Sequence, residues 1–318
     1  MTYGQAVKSA LAEEMRRDPR VILMGEDIGH HGGMFQVTKG LFEEFGEDRV
    51  IDTPISESGF IGMALGAALT GLRPVVEIMF FDFSLVAMDQ IVNQLVKTTY
   101  MSGGLPVPLV LRTQGGGYKG AAAQHSQMLE ALFLHVPGLK VVAPSSASDA
   151  AGLLKSAIRG NNPVLFIEHN QLYAKEQEID SAEIPLGKAA VKRTGSQVSI
   201  FSYSFSLTLC LEAAGQLAKE GIDVEVVDMR TLNPLDFDTV ATSVKKTHRA
   251  LIVHESAARC GFGADLAAQI QENLFDELDG PILRVTGADH PLPFAKDMEL
   301  ASLPTVEKII AKVKEVLA

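Results

Sequence analysis

The chain has 318 residues, 47% of them hydrophobic and 21% charged, which is longer than one usual domain and apolar enough for sizeable cores. With 28 basic against 39 acidic side chains the net charge is −11, and that balance argues against nucleic acid or anionic membrane as a partner, because both need a basic footprint. Cys210 and Cys260 alone make neither a disulfide framework nor a zinc site, and no apolar run reaches the ~20 residues that span a bilayer.

Met1-Thr2-Tyr3-Gly4-Gln5-Ala6 has neither a basic start nor an apolar signal core, so a cytoplasmic protein is expected, or a mature matrix or plastid one if a transit peptide was removed. Residues 5–17 place Ala6, Ala10, Leu11 and Met15 at helical spacing, with Glu13, Glu14, Arg16 and Arg17 on the other side; Asp18-Pro19 stops the helix. Val21-Ile22-Leu23-Met24 reads as a buried strand, and a loop rich in glycine and histidine follows through Gly29, His30, His31, Gly32 and Gly33. A second strand ends at Asp52-Thr53-Pro54, and residues 59–70, rich in Gly and Ala, form a closely packed helix. Further strands fall at 75–79, 107–111, 140–142 and 164–167, with helices at 89–97 and 147–159.

Around residues 174–196 the pattern gives way to charged and turn-forming sequence, which divides the chain into domains 1–185 and 186–318. A second alternating series follows, with strands at 198–201, 224–227, 250–253 and 282–285 and helices at 206–219, 235–245, 264–276 and 305–317. Strands alternating with helices predict an α/β protein with mostly parallel sheets in both domains.

Gly115-Gly116-Gly117-Tyr118-Lys119-Gly120 matches G-x-G-x-x-G after a strand, but no carboxylate lies about 20 residues on to meet a ribose, so a glycine loop beside a pocket is the better reading. Adjacent histidines such as His30-His31 point apart and read as surface loop. Neither a G-x-S-x-G elbow nor a Walker-type loop occurs. Glu57 follows a strand end, where parallel sheets build sites, and a partly desolvated carboxylate there would suit proton transfer. The residue pattern alone favours a plainer role, a first-turn glutamate stabilised by the helix dipole. His125 begins an apparent helix within the polar patch Gln124-His125-Ser126-Gln127, and a structural role is as good an account of it as a catalytic one. Phe80, Phe81 and Phe83 read first as core, and otherwise as a stacking platform for a ligand ring.

Taken together and in this order, these segments resemble the beta subunits of thiamin-diphosphate-dependent 2-oxo acid dehydrogenases, of pyruvate, acetoin or branched-chain type. The resemblance is carried by Gly25-Glu26-Asp27, Thr53-Pro54-Ile55-Ser56-Glu57, Gly71-Leu72-Arg73-Pro74, Asp82-Phe83-Ser84, Tyr100-Met101-Ser102-Gly103-Gly104 and Gln124-His125-Ser126-Gln127. It continues through Val227-Asp228-Met229-Arg230-Thr231-Leu232-Asn233-Pro234 and His254-Glu255, so it covers essentially the whole chain.

The resemblance implies a transketolase-like pyrimidine-binding domain followed by a transketolase C-terminal domain. It implies that Glu57 hydrogen-bonds the aminopyrimidine of thiamin diphosphate, favouring the imino tautomer that activates the thiazolium. Phe83 falls on the aromatic that packs against the pyrimidine, with Met79 and Ile55 as further cofactor contacts, and His125 on the histidine near the substrate and the incoming lipoyl group. The family's Gly-Asp-Gly…Asn signature for diphosphate and magnesium is absent from this chain. It is expected on an alpha subunit, so the resemblance implies an α2β2 heterotetramer that passes its acyl group to the lipoyl acyltransferase core. The family also often holds structural potassium through carbonyls; Leu109, Ala157, Gly160 and Asn162 are the candidates, although Gly160 stands where an Asp is common. Pyruvate is the favoured substrate. Acetoin and branched-chain 2-oxo acids are the alternatives within the same chemistry. A non-catalytic docking scaffold and a nucleotide-binding oxidoreductase are alternatives outside it.

Overall fold

The computed structural model describes all 318 residues, which divide into two compact units: Met1–Gly115 with Leu132–Leu186, and Gly116–Ala131 with Gly187–Ala318. In the first unit, helix α1 (Tyr3–Arg17) starts at a capping box in which the Thr2 hydroxyl accepts from the Gln5 amide and the Gln5 side chain accepts from the Thr2 amide. It buries Ala6, Val7, Ala10, Leu11 and Met15 and packs against α6 (Ala147–Arg159). Glu14, expected on the solvent side, is fully buried. It is ion-paired to Arg159 of α6 at 2.6 Å and to Arg17 at 2.8 Å, and these bonds hold its pKa down against the opposing effect of burial.

The strands β1 (Val21–Gly25), β2 (Val50–Asp52), β3 (Arg73–Ile78), β4 (Val110–Gly115), β5 (Lys140–Val142) and β6 (Val164–His169) run parallel in the order β5-β6-β4-β3-β1-β2. Buried residues dominate β1, β3, β4 and β6, as expected where helices cover both faces. Among the connections, α2 (Leu41–Phe45) precedes β2, and α3 (Glu57–Leu69) packs on β3. The helix expected at 89–97 is present: after a 3₁₀ segment Phe81–Ala87 it is π-helical over Gln90–Leu95 and continues as α4 (Val96–Met101). A short helix, α5 (Glu130–Leu134), precedes β5.

The second unit has a five-stranded sheet in the order β12-β11-β8-β9-β7, formed by β7 (Ala190–Arg193), β8 (Val198–Ser202), β9 (Val224–Asp228), β11 (Ala250–Ala257) and β12 (Leu283–Gly287). Only the edge strand β7 is antiparallel, and it lies in sequence that reads as linker. A short strand β10 (Thr231–Asn233) follows β9. The helices are α7 (Ser204–Ala218), α8 (Phe237–Thr247), α9 (Phe262–Leu274), α10 (Lys296–Ser302) and α11 (Val306–Leu317). Val306, Ile309 and Val313 of α11 form one buried stripe in the core beneath α7, as their spacing requires. No helix is long and apolar enough to cross a membrane.

Candidate active site

In the first unit, β1 and β2 end side by side, with Gly25 paired to Asp52, so the next residues, Glu26 and Thr53, emerge at the same sheet edge. On its other side Gly25 allows the close approach of β3, since a Cβ there would lie 2.8 Å from the Glu77 carbonyl oxygen. The Thr53 amide donates to the Gly25 carbonyl, and the chain then turns through Pro54-Ile55-Ser56 into α3. Ser56 makes no side-chain cap, and Glu57 is the first helical residue, 7% exposed.

Glu26, which the sequence reading did not single out, is also 7% exposed; burial raises its pKa, and the neighbouring Glu57 and Asp27 add to the shift. Two buried carboxyl groups therefore lie near enough to interact at the carboxyl ends of parallel strands, where α/β folds build their sites. Glu26 Oε1 and Thr53 Oγ1 are buried with no hydrogen-bond partner. Unsatisfied buried oxygens at this edge suit a ligand that brings hydrogen-bond donors.

Beyond β3 an aromatic series leads away from this edge: Tyr173 stacks on Phe35 at 5.2 Å, Phe35 meets Phe80 edge-on at 5.9 Å, and Phe80 meets Phe83 edge-on at 5.7 Å. Phe83 and Met79 are half-buried, whereas Phe81 is fully buried on Phe133 as core. Ile55 is 85% exposed. Under this region Arg112 of β4 bridges Glu168 of β6 at 2.6 and 2.9 Å and Glu77 of β3 at 2.8 Å, and the Tyr173 hydroxyl donates to Glu168 at 2.8 Å.

At the other end of β4, Arg73 reaches the carbonyls at the close of α6. Its Nε donates to Ile158 O at 2.9 Å, and its guanidinium also donates to Gly160 O. The Leu109 carbonyl accepts from the Val164 amide at 3.0 Å. Ala157 is buried on α6, and Asn162 follows the turn at its end. No group of three or more His, Cys, Asp or Glu is placed to hold a metal ion, and His30 packs on Phe42 at 4.1 Å.

His125 belongs to the second unit and lies in a turn, not in the helix expected for it; α5 starts five residues later at Glu130. No helix begins at the end of Gly115–Gly120 either, so the glycine match lacks the helix N-terminus that a dinucleotide site requires. His125 is half-buried, and its neighbours Gln124, Ser126 and Gln127 line a cavity of about 580 Å³ with Glu255, Asp289 and His290. At its back, His254 is fully buried. It has Gly263 N 3.3 Å from Nε2 and Ser256 Oγ 2.9 Å from Nδ1, and the Ser256 hydroxyl in turn donates to Glu130. Burial, helped by Arg284, lowers the His254 pKa to about 4, so the ring is neutral.

Residues 1–176 match the transketolase pyrimidine-binding domain and residues 187–309 the transketolase C-terminal domain. The fold agrees. A solved structure described as a split gene transketolase, inactive beta4 tetramer, superposes with a TM-score of 0.83, covering 100% of this chain and 98% of that one at 22% identity. This is a two-domain enzyme chain of the transketolase type. Three relatives narrow it further. The pyruvate dehydrogenase E1 component subunit beta of Rickettsia felis is 48% identical, covering 99% of this chain and 98% of that protein. The mitochondrial proteins of the same name are 47% identical in Caenorhabditis elegans, over 100% of this chain and 92% of that protein, and 46% in Homo sapiens, over 100% and 90%. The chain belongs to the family of pyruvate dehydrogenase E1 component beta subunits, an enzyme component of the 2-oxo acid dehydrogenases.

Proposed function

We propose that this chain is the beta subunit of the decarboxylating component of a 2-oxo acid dehydrogenase complex, acting on pyruvate with thiamin diphosphate and passing the acyl group to lipoamide. The observation that carries this reading is the buried Glu57 beside Glu26, at the carboxyl ends of β1 and β2, within a full-length relationship to chains of that name. Thiamin diphosphate, when bound, would supply the nucleophile and the electron sink that decarboxylation of a 2-oxo acid requires. Glu57 holds a proton between its carboxylate and a ring nitrogen of the pyrimidine, which is the task of a positioned general acid–base. Phe83, Met79 and Ile55 provide the apolar contacts to that ring, and His125 moves a proton at the substrate oxygen.

Magnesium and the diphosphate are assigned to an alpha subunit in an α2β2 assembly, since the family's motif for them is missing here. The lipoyl acyltransferase core is the acceptor. The pyrimidine-binding domain is taken as 1–185 and the C-terminal domain as 186–318, in the cytoplasm or an organelle matrix. Structural potassium is assigned to carbonyls near Leu109, Ala157, Gly160 and Asn162, where it would share the Gly160 oxygen with Arg73. The test is reconstitution with the alpha subunit and thiamin diphosphate, followed by turnover of pyruvate, acetoin and branched-chain 2-oxo acids. Preference for pyruvate supports the assignment. Preference for acetoin or a branched-chain acid, or no turnover by a correctly assembled pair, overturns it.

A further inference from the structure

We propose that Glu255 and Glu299 are positioning residues that clamp the His125 loop by its backbone amides. The inference rests on the assignment of His125 to the active site given above.

The loop Gly116–Ala131 takes left-handed backbone at Gly116, Tyr118, Gly120 and Ala122, with φ of 93°, 64°, 69° and 60°. Glycine adopts this conformation freely, whereas Tyr118 and Ala122 do so only where their surroundings over-determine it. Four contacts within the second unit supply the constraint. Glu255, near the end of β11, accepts from the Gly117 amide at 2.5 Å, and Glu299 of α10 accepts from the Gly120 amide at 2.9 Å. The Tyr118 hydroxyl donates to the Pro304 carbonyl at 2.9 Å, and its ring stands edge-on to Phe205 at 4.9 Å.

Glu255 is 7% exposed and Glu299 0%. A carboxylate accepts and never donates, so each is matched to an amide that points at it. The loop also presses close to its support: a Cβ on Gly117 would lie 2.8 Å from Leu303 Cδ1 and 3.0 Å from Leu292 Cδ1. At the far end Glu130, itself fully buried, accepts from the Tyr203 and Ser256 hydroxyls and fixes the exit into α5. Between these anchors lie Gln124, His125 and Ser126. The clamp therefore sets where the imidazole stands.

The test compares the assembled enzyme, with alpha partner, thiamin diphosphate and magnesium, as wild type and as Glu255→Ala, Glu299→Ala, Glu255→Gln, Gly117→Ala and His125→Ala. Hydrogen–deuterium exchange of residues 116–131 reads the clamp, and pyruvate turnover reads its consequence. In both glutamate-to-alanine variants the loop amides exchange at least about tenfold faster while β8 and β11 keep wild-type protection. In the same variants kcat falls about 10- to 100-fold with KM for pyruvate changed less than about twofold, since the histidine is displaced and not removed. Glu255→Gln keeps an acceptor oxygen at the same reach and recovers most of both losses. Gly117→Ala leaves both carboxylates in place, and the leucine side-chain ends that its methyl meets can shift, so its loop exchange and kcat stay closer to wild type than those of either glutamate-to-alanine variant.

Unchanged loop exchange in the glutamate-to-alanine variants overturns the clamp, whatever the activity. Faster exchange with wild-type kcat, in a background where His125→Ala is slow, overturns the positioning role alone. Wild-type turnover by His125→Ala overturns that role together with the active-site assignment of the histidine.

Discussion

Replacing Arg112 with leucine removes the cation from the centre of the first sheet and leaves Glu168, fully buried, and Glu77 facing each other across β4. The guanidinium makes two bonds to Glu168 and one to Glu77. Burial works against its charge, but the attraction of both carboxylates outweighs that and raises its pKa, while burial already raises the pKa of Glu77 with the cation present. Breaking a buried pair by removing one partner costs about 3–5 kcal/mol. For a unit of this size that lowers the melting temperature by roughly 10 °C.

The loss should depend on pH in a definite direction. Without the cation the Glu77 carboxyl, whose pKa burial already raises, titrates further above its unfolded value, so its contribution is complete below the unfolded value and is lost as pH rises through the folded one. Scanning calorimetry at pH 8 and pH 5 should therefore show Arg112→Leu closer to wild type at pH 5. Adding Glu168→Leu should restore more than half of the loss at pH 8. A loss below about 1 kcal/mol at pH 8 would refute the reasoning, because it lies within the range of exposed pairs. A loss that grows on acidification would refute it equally.

In the second unit, His254 has a pKa lowered to about 4 from 6.5, so the folded form disfavours the proton that the unfolded chain takes up. Its contribution is complete above pH 6.5 and is lost as pH falls toward 4, a difference of about 3 kcal/mol. Denaturation of wild type and His254→Gln from pH 7.5 to 4.5 checks this; equal slopes would contradict it. Exchanging potassium for sodium at constant ionic strength should lower the melting temperature of the assembled enzyme if carbonyls near Leu109 and Gly160 hold the ion. An unchanged value would leave the Arg73 guanidinium as the cation serving the Ile158 and Gly160 carbonyls.

The alternation of short apolar runs with helices was legible because buried parallel strands such as Val21-Ile22-Leu23-Met24 leave a continuous apolar signature, and α11 declares its buried face through Val306, Ile309 and Val313. Local pattern failed where a partner distant in sequence decides the outcome. Glu14 reads as solvent-facing until Arg159, 145 residues away, arrives beside it. His125 reads as helical because its polar cluster runs straight into the apolar periodicity of α5, but left-handed backbone at Gly120 and Ala122 turns the chain first. The same segment, 116–131, leaves the first unit for the second, which no single cut in the chain expresses.

Of the candidate site, the residue pattern alone points to a first-turn role for Glu57 and to core for Phe83, and only the resemblance proposes them as cofactor contacts. Glu26 stood within a motif that carried the resemblance but gave no sign of its coupling to Glu57, which depends on β1 and β2 being neighbours. Glu255 stood in the His254-Glu255 pair that carried the resemblance but gave no sign of its partner, and Glu299 left only the faint signal of a charged residue inside a short helix.

Pyruvate turnover by the assembled heterotetramer carrying Glu57→Ala, at saturating thiamin diphosphate, addresses the role of this chain in the chemistry. Loss of a positioned general acid–base predicts a fall in kcat of about 10²- to 10⁴-fold with assembly intact. Turnover within about twofold of wild type would place the catalytic carboxylate elsewhere and contradict the assignment.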